Sequence, residues 1–325
     1  MNEHAILLET KNLARSFEMR AGGFAGAKRV RAVADVSIAI RRGETYGLVG
    51  ESGCGKSTLG RTILRIHEPD AGGIFFDGLD ITHLGSAAMR PYRRRMQMIF
   101  QDPYASLNPR FTVGDTVREP MAIHRLCDSK EFDARVQALI ETVGLKSDHI
   151  RRYPHEFSGG QRQRIGIMRA LALEPEFIVC DEPFSALDVS IQAQIMNLLE
   201  RIQDEKRIAY LMISHNLSAV RHISHTVGVM YLGKIVESGP AAEVCDRPMH
   251  PYSQALIASV PVANPHMAGR RDRAILEGEA PSVLDIPVGC SFAGRCRFAA
   301  RRCREEAPKL LSRDGRLVAC HLFDR

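Results

Sequence analysis

The 325-residue sequence lacks any apolar run near the roughly 20 residues that a membrane-spanning helix requires. Its first ten residues, Met1 to Thr10, lack a cationic leader ahead of a long apolar core, so no secretion signal is read there. Together these absences place the chain in the cytosol as an expectation. Structural disulfides are uncommon in that compartment. A strong charge imbalance is missing too. Lys and Arg number 44 against 38 Asp and Glu, a formal net charge of +6, which is mild for this length and gives no reason to expect a nucleic-acid partner. Basic runs such as Lys28 to Arg31 and Arg90 to Arg95 read as solvated surface. Nor do the cysteines show a C-x-x-C spacing. Of eight, Cys290, Cys296, Cys303 and Cys320 gather near the end, separated by five, six and sixteen residues. That pattern opens a metal site and closes a disulfide framework.

What is present begins with Gly50-Glu51-Ser52-Gly53-Cys54-Gly55-Lys56-Ser57-Thr58. It fits G-x-x-x-x-G-K-[ST], a loop whose backbone N–H groups cradle phosphates. Thr45 to Val49 ahead of it reads as a buried strand, and Thr58 to Ile66 after it as a helix. The helix start adds partial positive charge for an anion. Lys56 is expected to reach the β- and γ-phosphates and the Ser57 hydroxyl to ligate Mg²⁺.

Further along, Leu7 to Phe17 and Arg31 to Ile40 read as strands, the second alternating at Val36, Ile38 and Ile40. Residues 21–27 read as a glycine-rich surface loop, and Gly72 to Gly78 as a hairpin arm ending in an Asp-Gly turn. Past Gln101-Asp102-Pro103 the character turns helical: Phe132, Val136, Leu139, Ile140 and Val143 share a face, and Gly144 suits a C-cap. Residues 102–170 form a candidate helical insertion. Then Glu176 to Glu182 is a strand that delivers two carboxylates at its C-terminal end, where open α/β sheets place ligands. An amphipathic helix carrying Ile191, Ile195, Leu198, Leu199 and Ile202 follows, then a strand ending near His215, then a hairpin around Gly233. This alternation predicts a mainly parallel α/β core with antiparallel N-terminal strands. Beyond about Pro240 the prolines multiply, marking a separate extension over 241–325.

Ser158-Gly159-Gly160-Gln161 is a second helix start suited to an anion, a hundred residues after the first. Two such sites on one chain for one triphosphate suggest that they meet head to tail across a dimer. At this point the sequence resembles the ATP-binding subunits of ABC transporters, whose motifs recur here in order over about residues 5 to 240. Gly50 to Ser57 resembles the Walker A loop, Gln101 the Q-loop glutamine, and Phe157 to Gln161 the signature, with Phe157 standing for the commoner leucine. Phe177 to Asp181 resembles Walker B, Glu182 the catalytic carboxylate, Ser185 to Asp188 the D-loop, and His215 the switch histidine. The resemblance implies a P-loop NTPase (RecA-like) core of residues 1–240 with an antiparallel β subdomain. It implies ATP and Mg²⁺ as cofactors, with Ser57 and Gln101 binding the metal directly and Asp181 through water. Glu182 would activate the attacking water and His215 contact the γ-phosphate. Ser158, Gly159, Gly160 and Gln161 would close over the ATP of a partner subunit. Phe17 is the expected adenine-stacking aromatic, with an ordinary buried strand residue as its alternative.

The extension carries the resemblance further. His250 to Leu256, Leu276 to Ser282, Pro287 to Cys290 and the four cysteines look like the C-terminal region of dipeptide, oligopeptide and nickel importer ATPases. That implies a [4Fe–4S] cluster on Cys290, Cys296, Cys303 and Cys320, with zinc or no metal as alternatives. Arg295, Arg297, Arg301, Arg302 and Arg304 beside them read as solvated. The implied partners are a second ATP-binding subunit, two membrane permeases and, indirectly, a substrate-binding protein, at the cytoplasmic face of the membrane. Nickel or glutathione import, or a soluble ABC ATPase acting on DNA or ribosomes, are the rival readings.

Overall fold

The computed structural model describes residues 5–20, 27–126, 128–185, 187–259 and 287–324. The glycine-rich stretch 21–26, Ala186 and the Leu276 to Ser282 motif lie outside them. The chain divides into two compact units. One holds the stretches Ile40–Glu44 and His83–Ile213, the other Leu8–Ala39, Thr45–Thr82 and Ser214–Arg325.

In the first unit three parallel strands, Met96–Ile99, Phe177–Asp181 and Ala209–Ile213, lie side by side. Their register is level: Ile99 faces Cys180, and Asp181 faces Ile213. The C-terminal ends of the strands therefore form one rim, from which Gln101 and Glu182 emerge. Phe177 to Asp181 and Ala209 to Ile213 are buried at every position, as parallel strands covered on both faces must be. The region after Pro103 is helical, as the periodicity predicts. Val113–His124 starts from a Thr112–Asp115 capping box, and Ser129–Thr142 is followed by Gly144 at φ +70°. Helix Val189–Lys206 buries Ile195, Leu198, Leu199 and Ile202 along one stripe. Each such side chain removed from water contributes roughly 1.5–3 kcal/mol before the cost of ordering it. Glu176 accepts from Arg42 at 2.6 Å and from Arg95, and the Arg95 hydrogen bond is the main reason its carboxyl is held below the usual range. The folded-state value is depressed, so this contribution is present above the ordinary carboxylate range. It is lost as pH falls through the lowered value.

The second unit opens with antiparallel strands. Ile6–Arg20 pairs with Ala27–Val36, Phe17 facing Val30, and with Ala71–Phe76, Leu8 facing Phe76. Burial alternates from Val36 to Ile40 as expected of a sheet with one wet face. The Asp-Gly turn is real: Asp77 and Gly78 both have positive φ, the requirement of a two-residue hairpin turn. The loop strand Thr45–Val49 runs parallel to Thr226–Tyr231, which turns back at Leu232 and Gly233 into Lys234–Pro240. The C-terminal extension joins this same sheet. Its strand Arg316–Val318 pairs with Lys234–Pro240, Glu237 facing Val318, and Leu311–Arg313 pairs with it in turn.

Glu237 has no exposed surface. It accepts from the backbone N–H groups of Met249 and His250, each at 2.9 Å, and lies 3.7 Å from the Arg316 guanidinium. Arg316 also donates to the carbonyls of Glu243 and Arg247. Arg316→Met leaves a buried carboxylate with backbone donors alone and should destabilise the chain by about 2 kcal/mol or more. Urea unfolding should show a lower midpoint, part of which E237Q in the same chain restores; an unchanged midpoint would show the pair to be inert.

Candidate functional site

In the second unit the buried strand Thr45–Val49 hands over to the loop, and helix Lys56–Ile63 begins two residues earlier than the apolar spacing suggests. Periodicity does not register Lys56 and Ser57 because neither is apolar, yet both belong to the first turn. Arg65, at φ +55°, ends the run before Ile66. Gly55 has φ +107°, and a Cβ there would sit 2.0 Å from the carbonyl oxygen of Ala32. Only glycine fits. The first helical hydrogen bond runs from Leu59 N–H to Gly55 O, so the amides ahead of it belong to the anion-binding start of the helix. Lys56 is 5% exposed and curls back, its Nζ donating to the carbonyls of Gly50 at 2.8 Å and Glu51 at 2.9 Å. Ser52 and Gly53 are the exposed lip, while the Cys54 thiol is buried and its pKa raised by that burial.

Two further residues grip the loop from the other end of the sequence. Glu51 N–H donates to the Tyr252 hydroxyl at 2.9 Å, and the Glu51 carboxylate accepts from Arg295 at 3.0 Å. The expectation that Arg295 is solvated is therefore wrong: its side chain is 8% exposed. Arg297, Arg301, Arg302 and Arg304 are exposed as expected. Nothing in local sequence distinguishes Arg295 from its neighbours.

The same unit carries His215, exposed, just before Asn216 caps helix Leu217–Ile223 by accepting from Ala219 N–H. Phe17 is half-buried rather than fully buried, edge-on to His67 at 5.4 Å, with the Arg15 guanidinium 4.8 Å from its ring.

The first unit brings Gln101, Asp181 and Glu182 to one rim. Asp181 is buried at the strand end. Glu182 takes φ +47°, a left-handed backbone that a glutamate adopts only when its surroundings impose it, and its N–H donates to Ile213 O at 2.9 Å. Gln101 Nε2 donates to Glu182 Oε2 at 2.9 Å, so these two candidates are in direct contact. On the helical side, Ser158 caps Gly159–Leu171 by a reciprocal box with Gln161, at 3.4 and 3.0 Å, leaving an exposed, glycine-led helix start. Phe157 is buried edge-on against His149 at 5.1 Å, so the aromatic replacement of leucine is housed rather than displaced. Gly160 is required by contact, since a Cβ there would meet Ile191 at 2.5 Å. Asp188 is exposed at the head of helix Val189–Lys206, its carbonyl accepting from Gln192 N–H.

Ser57 in the second unit, and Gln101 and Asp181 in the first, each carry an oxygen donor of the kind Mg²⁺ prefers. The thiols of Cys290, Cys296, Cys303 and Cys320 line one small pocket with Phe292, Phe298 and His321. Burial pushes Cys320 up to about 11, and the other three cysteines add to the rise. None of the four forms a disulfide. Among the described residues no three His, Cys, Asp or Glu side chains are gathered closely enough to hold a metal ion. Nor is any helix among them long and apolar enough to cross a membrane.

Known proteins are similar to this chain in sequence and fold. Residues 33–185 match the family described as ABC transporter, and residues 236–303 the family described as oligopeptide/dipeptide transporter, C-terminal region. The oligopeptide transport ATP-binding protein YkfD of Bacillus subtilis, whose assignment is itself putative, is 51% identical over 98% of this chain and 95% of its own. The di/tripeptide transport ATP-binding protein DppF of Pseudomonas aeruginosa is 46% identical over 97% of each. Among solved structures, the dimeric ATP-binding cassette MJ0796, bound to ADP and Pi after hydrolysis, superposes with a TM-score of 0.65 at 25% identity, over 72% of this chain and 99% of its own. The chain belongs to the ABC transporter family, as an ATP-hydrolysing, ATP-binding subunit of the oligopeptide/dipeptide transporter type.

Proposed function

We propose that this subunit powers import of dipeptides or oligopeptides, as one of two nucleotide-binding subunits seated on two permeases at the cytoplasmic face of the membrane. The observation that carries the reading is that similarity to peptide-transport subunits extends through the C-terminal extension and not through the cassette alone. Residues 1–240 form the ATP-binding domain, with a helical insertion at about 102–170, and 241–325 the importer-type extension. Gly50 to Thr58 hold the triphosphate, Phe17 stacks on adenine, and Asp188 belongs to the dimer contact. Ser57, Gln101 and Asp181 would hold Mg²⁺, which would supply positive charge to offset that of the phosphate oxygens. Glu182 takes a proton from the attacking water as its oxygen bonds to the γ-phosphorus. In the same in-line step the bond from that phosphorus to the β–γ bridging oxygen breaks, giving ADP and phosphate. His215 steadies the γ-phosphate, and Ser158 to Gln161 of the partner subunit close over it. Exposed Tyr104, Ile123 and Tyr153 on the helical region are suited to a permease surface.

Co-expression with hydrophobic permease subunits, followed by detergent extraction, tests the reading. Co-purification and peptide-stimulated ATP hydrolysis are expected. Capture of ribosomes or nucleic acid instead would overturn it. Nickel or glutathione stimulating hydrolysis in place of peptide would move the cargo to those classes.

We further propose a [4Fe–4S] cluster on Cys290, Cys296, Cys303 and Cys320. An all-sulfur donor set sharing a pocket suits iron–sulfur or zinc. Anaerobic purification should yield iron and sulfide with broad visible absorption. Stoichiometric zinc, or no metal, would reject the cluster.

A further inference from the structure

The phosphate loop, read as the site of a polyanion, itself contains an acid, Glu51. Unpaired, its carboxylate would repel the nucleotide that Lys56 attracts, and both charges act within one loop. The structure pairs it with Arg295, at 3.0 Å and 8% exposed, across 244 residues of sequence. The same residue's backbone N–H is fixed by Tyr252 at 2.9 Å. Tyr252 is fully buried and packs with Tyr231 at 4.5 Å and with Phe292 at 5.4 Å, while Tyr231 and Phe292 meet edge-on at 5.4 Å. Phe292 and Arg295 sit on the short turn between Cys290 and Cys296: Ala293 N–H donates to Cys290 O, and Arg295 N–H to Phe292 O. Charge, backbone and packing all connect the loop to the cysteine lobe.

We propose that Arg295 and Tyr252 are positioning residues for nucleotide binding: the cysteine-bearing lobe completes the phosphate loop by neutralising Glu51 and fixing its backbone. The lobe is thus a working part of the ATP site. This inference rests on the reading of Gly50 to Thr58 as the phosphate loop. Removing the Arg295 charge leaves the Glu51 carboxylate uncompensated beside the incoming phosphates and frees the loop to move. Both effects weaken binding, and only the first depends on the Glu51 charge.

The test is a double-mutant cycle on the full chain, titrating Mg-ATP by calorimetry. Arg295→Ala should raise Kd roughly ten-fold, the size of one charge-assisted pair lost near the ligand. Arg295→Lys should recover part of that loss, since a cation remains but the planar fork does not. In a Glu51→Gln background, Arg295→Ala should change Kd by less than about three-fold, because the charge it compensated is gone. Circular dichroism and the urea midpoint of each variant show whether the lobe remains folded. If Arg295→Ala fails to fold, Arg295→Lys against Glu51→Gln/Arg295→Lys runs the same cycle. Full additivity of the two substitutions, or an unchanged Kd in folded R295A, overturns the proposal. Lys56→Ala separates the two layers: if it leaves Mg-ATP affinity intact, the phosphate-loop reading itself falls. If it abolishes binding while R295A is silent, only the latch falls.

Discussion

Glu182→Gln should leave Mg-ATP binding within about two-fold and slow hydrolysis by roughly 10²–10⁴-fold, the range for losing a positioned general base. The substitution is well isolated structurally. The carboxylate accepts from Gln101 Nε2 at 2.9 Å, and an amide oxygen in the same place can still accept that hydrogen bond. The left-handed backbone at φ +47° is imposed by the rim of the sheet and by the hydrogen bond to Ile213, neither of which touches the side-chain charge. What disappears is the capacity to take a proton. Single-turnover hydrolysis, with nucleotide affinity measured on the same preparation, separates the two quantities. Turnover equal to that of the parent protein would remove Glu182 from the chemistry.

Lys56→Ala carries the other large effect. The ammonium is almost wholly buried, and the carbonyls of Gly50 and Glu51 hold it inside the curve of the loop. Truncation removes the one cation of the motif and strands those two carbonyls. Losing one partner of a desolvated charge pair costs about 2–5 kcal/mol, so affinity should fall by roughly two orders of magnitude or more. Equilibrium binding of a fluorescent ATP analogue measures this. A shift under about three-fold would overturn the reading of Gly50 to Thr58 as the phosphate loop.

The parts of this architecture that were legible in the sequence are those written in short-range chemistry. Ser158 and Gln161 announce a capping box three residues apart, and the box is there. Asp77-Gly78 and Gly233 announce tight turns because left-handed φ leaves few residue choices. Val36, Ile38 and Ile40 announce one buried face. The start of helix Lys56–Ile63 was less visible, because its first turn is polar for the sake of the ligand rather than apolar for the core. Least visible were the contacts of Tyr252 and Arg295 with Glu51, made across 201 and 244 residues. Tyr252 stands in a stretch that the family resemblance picks out, but resemblance gives no contact partner. Arg295 is one arginine among five in a basic run, and burial alone separates it from the rest. Whether an arginine is surface or interior depends on what the rest of the chain packs over it, which no local pattern encodes.

The hydrogen bond from Gln101 to Glu182 bears on how sparingly the subunit spends fuel. Gln101 Nε2 occupies one oxygen of the Glu182 carboxylate, so a water reaching that oxygen has to displace the amide first. Gln101 ends the rim of the parallel strands and opens directly into the helical region through Asp102, whose side chain caps Pro103–Ser106. A displacement of that helical region therefore bears directly on Gln101 and its contact with Glu182. On the proposed mechanism, a load on the helices that freed this oxygen would keep ATP consumed in step with work demanded.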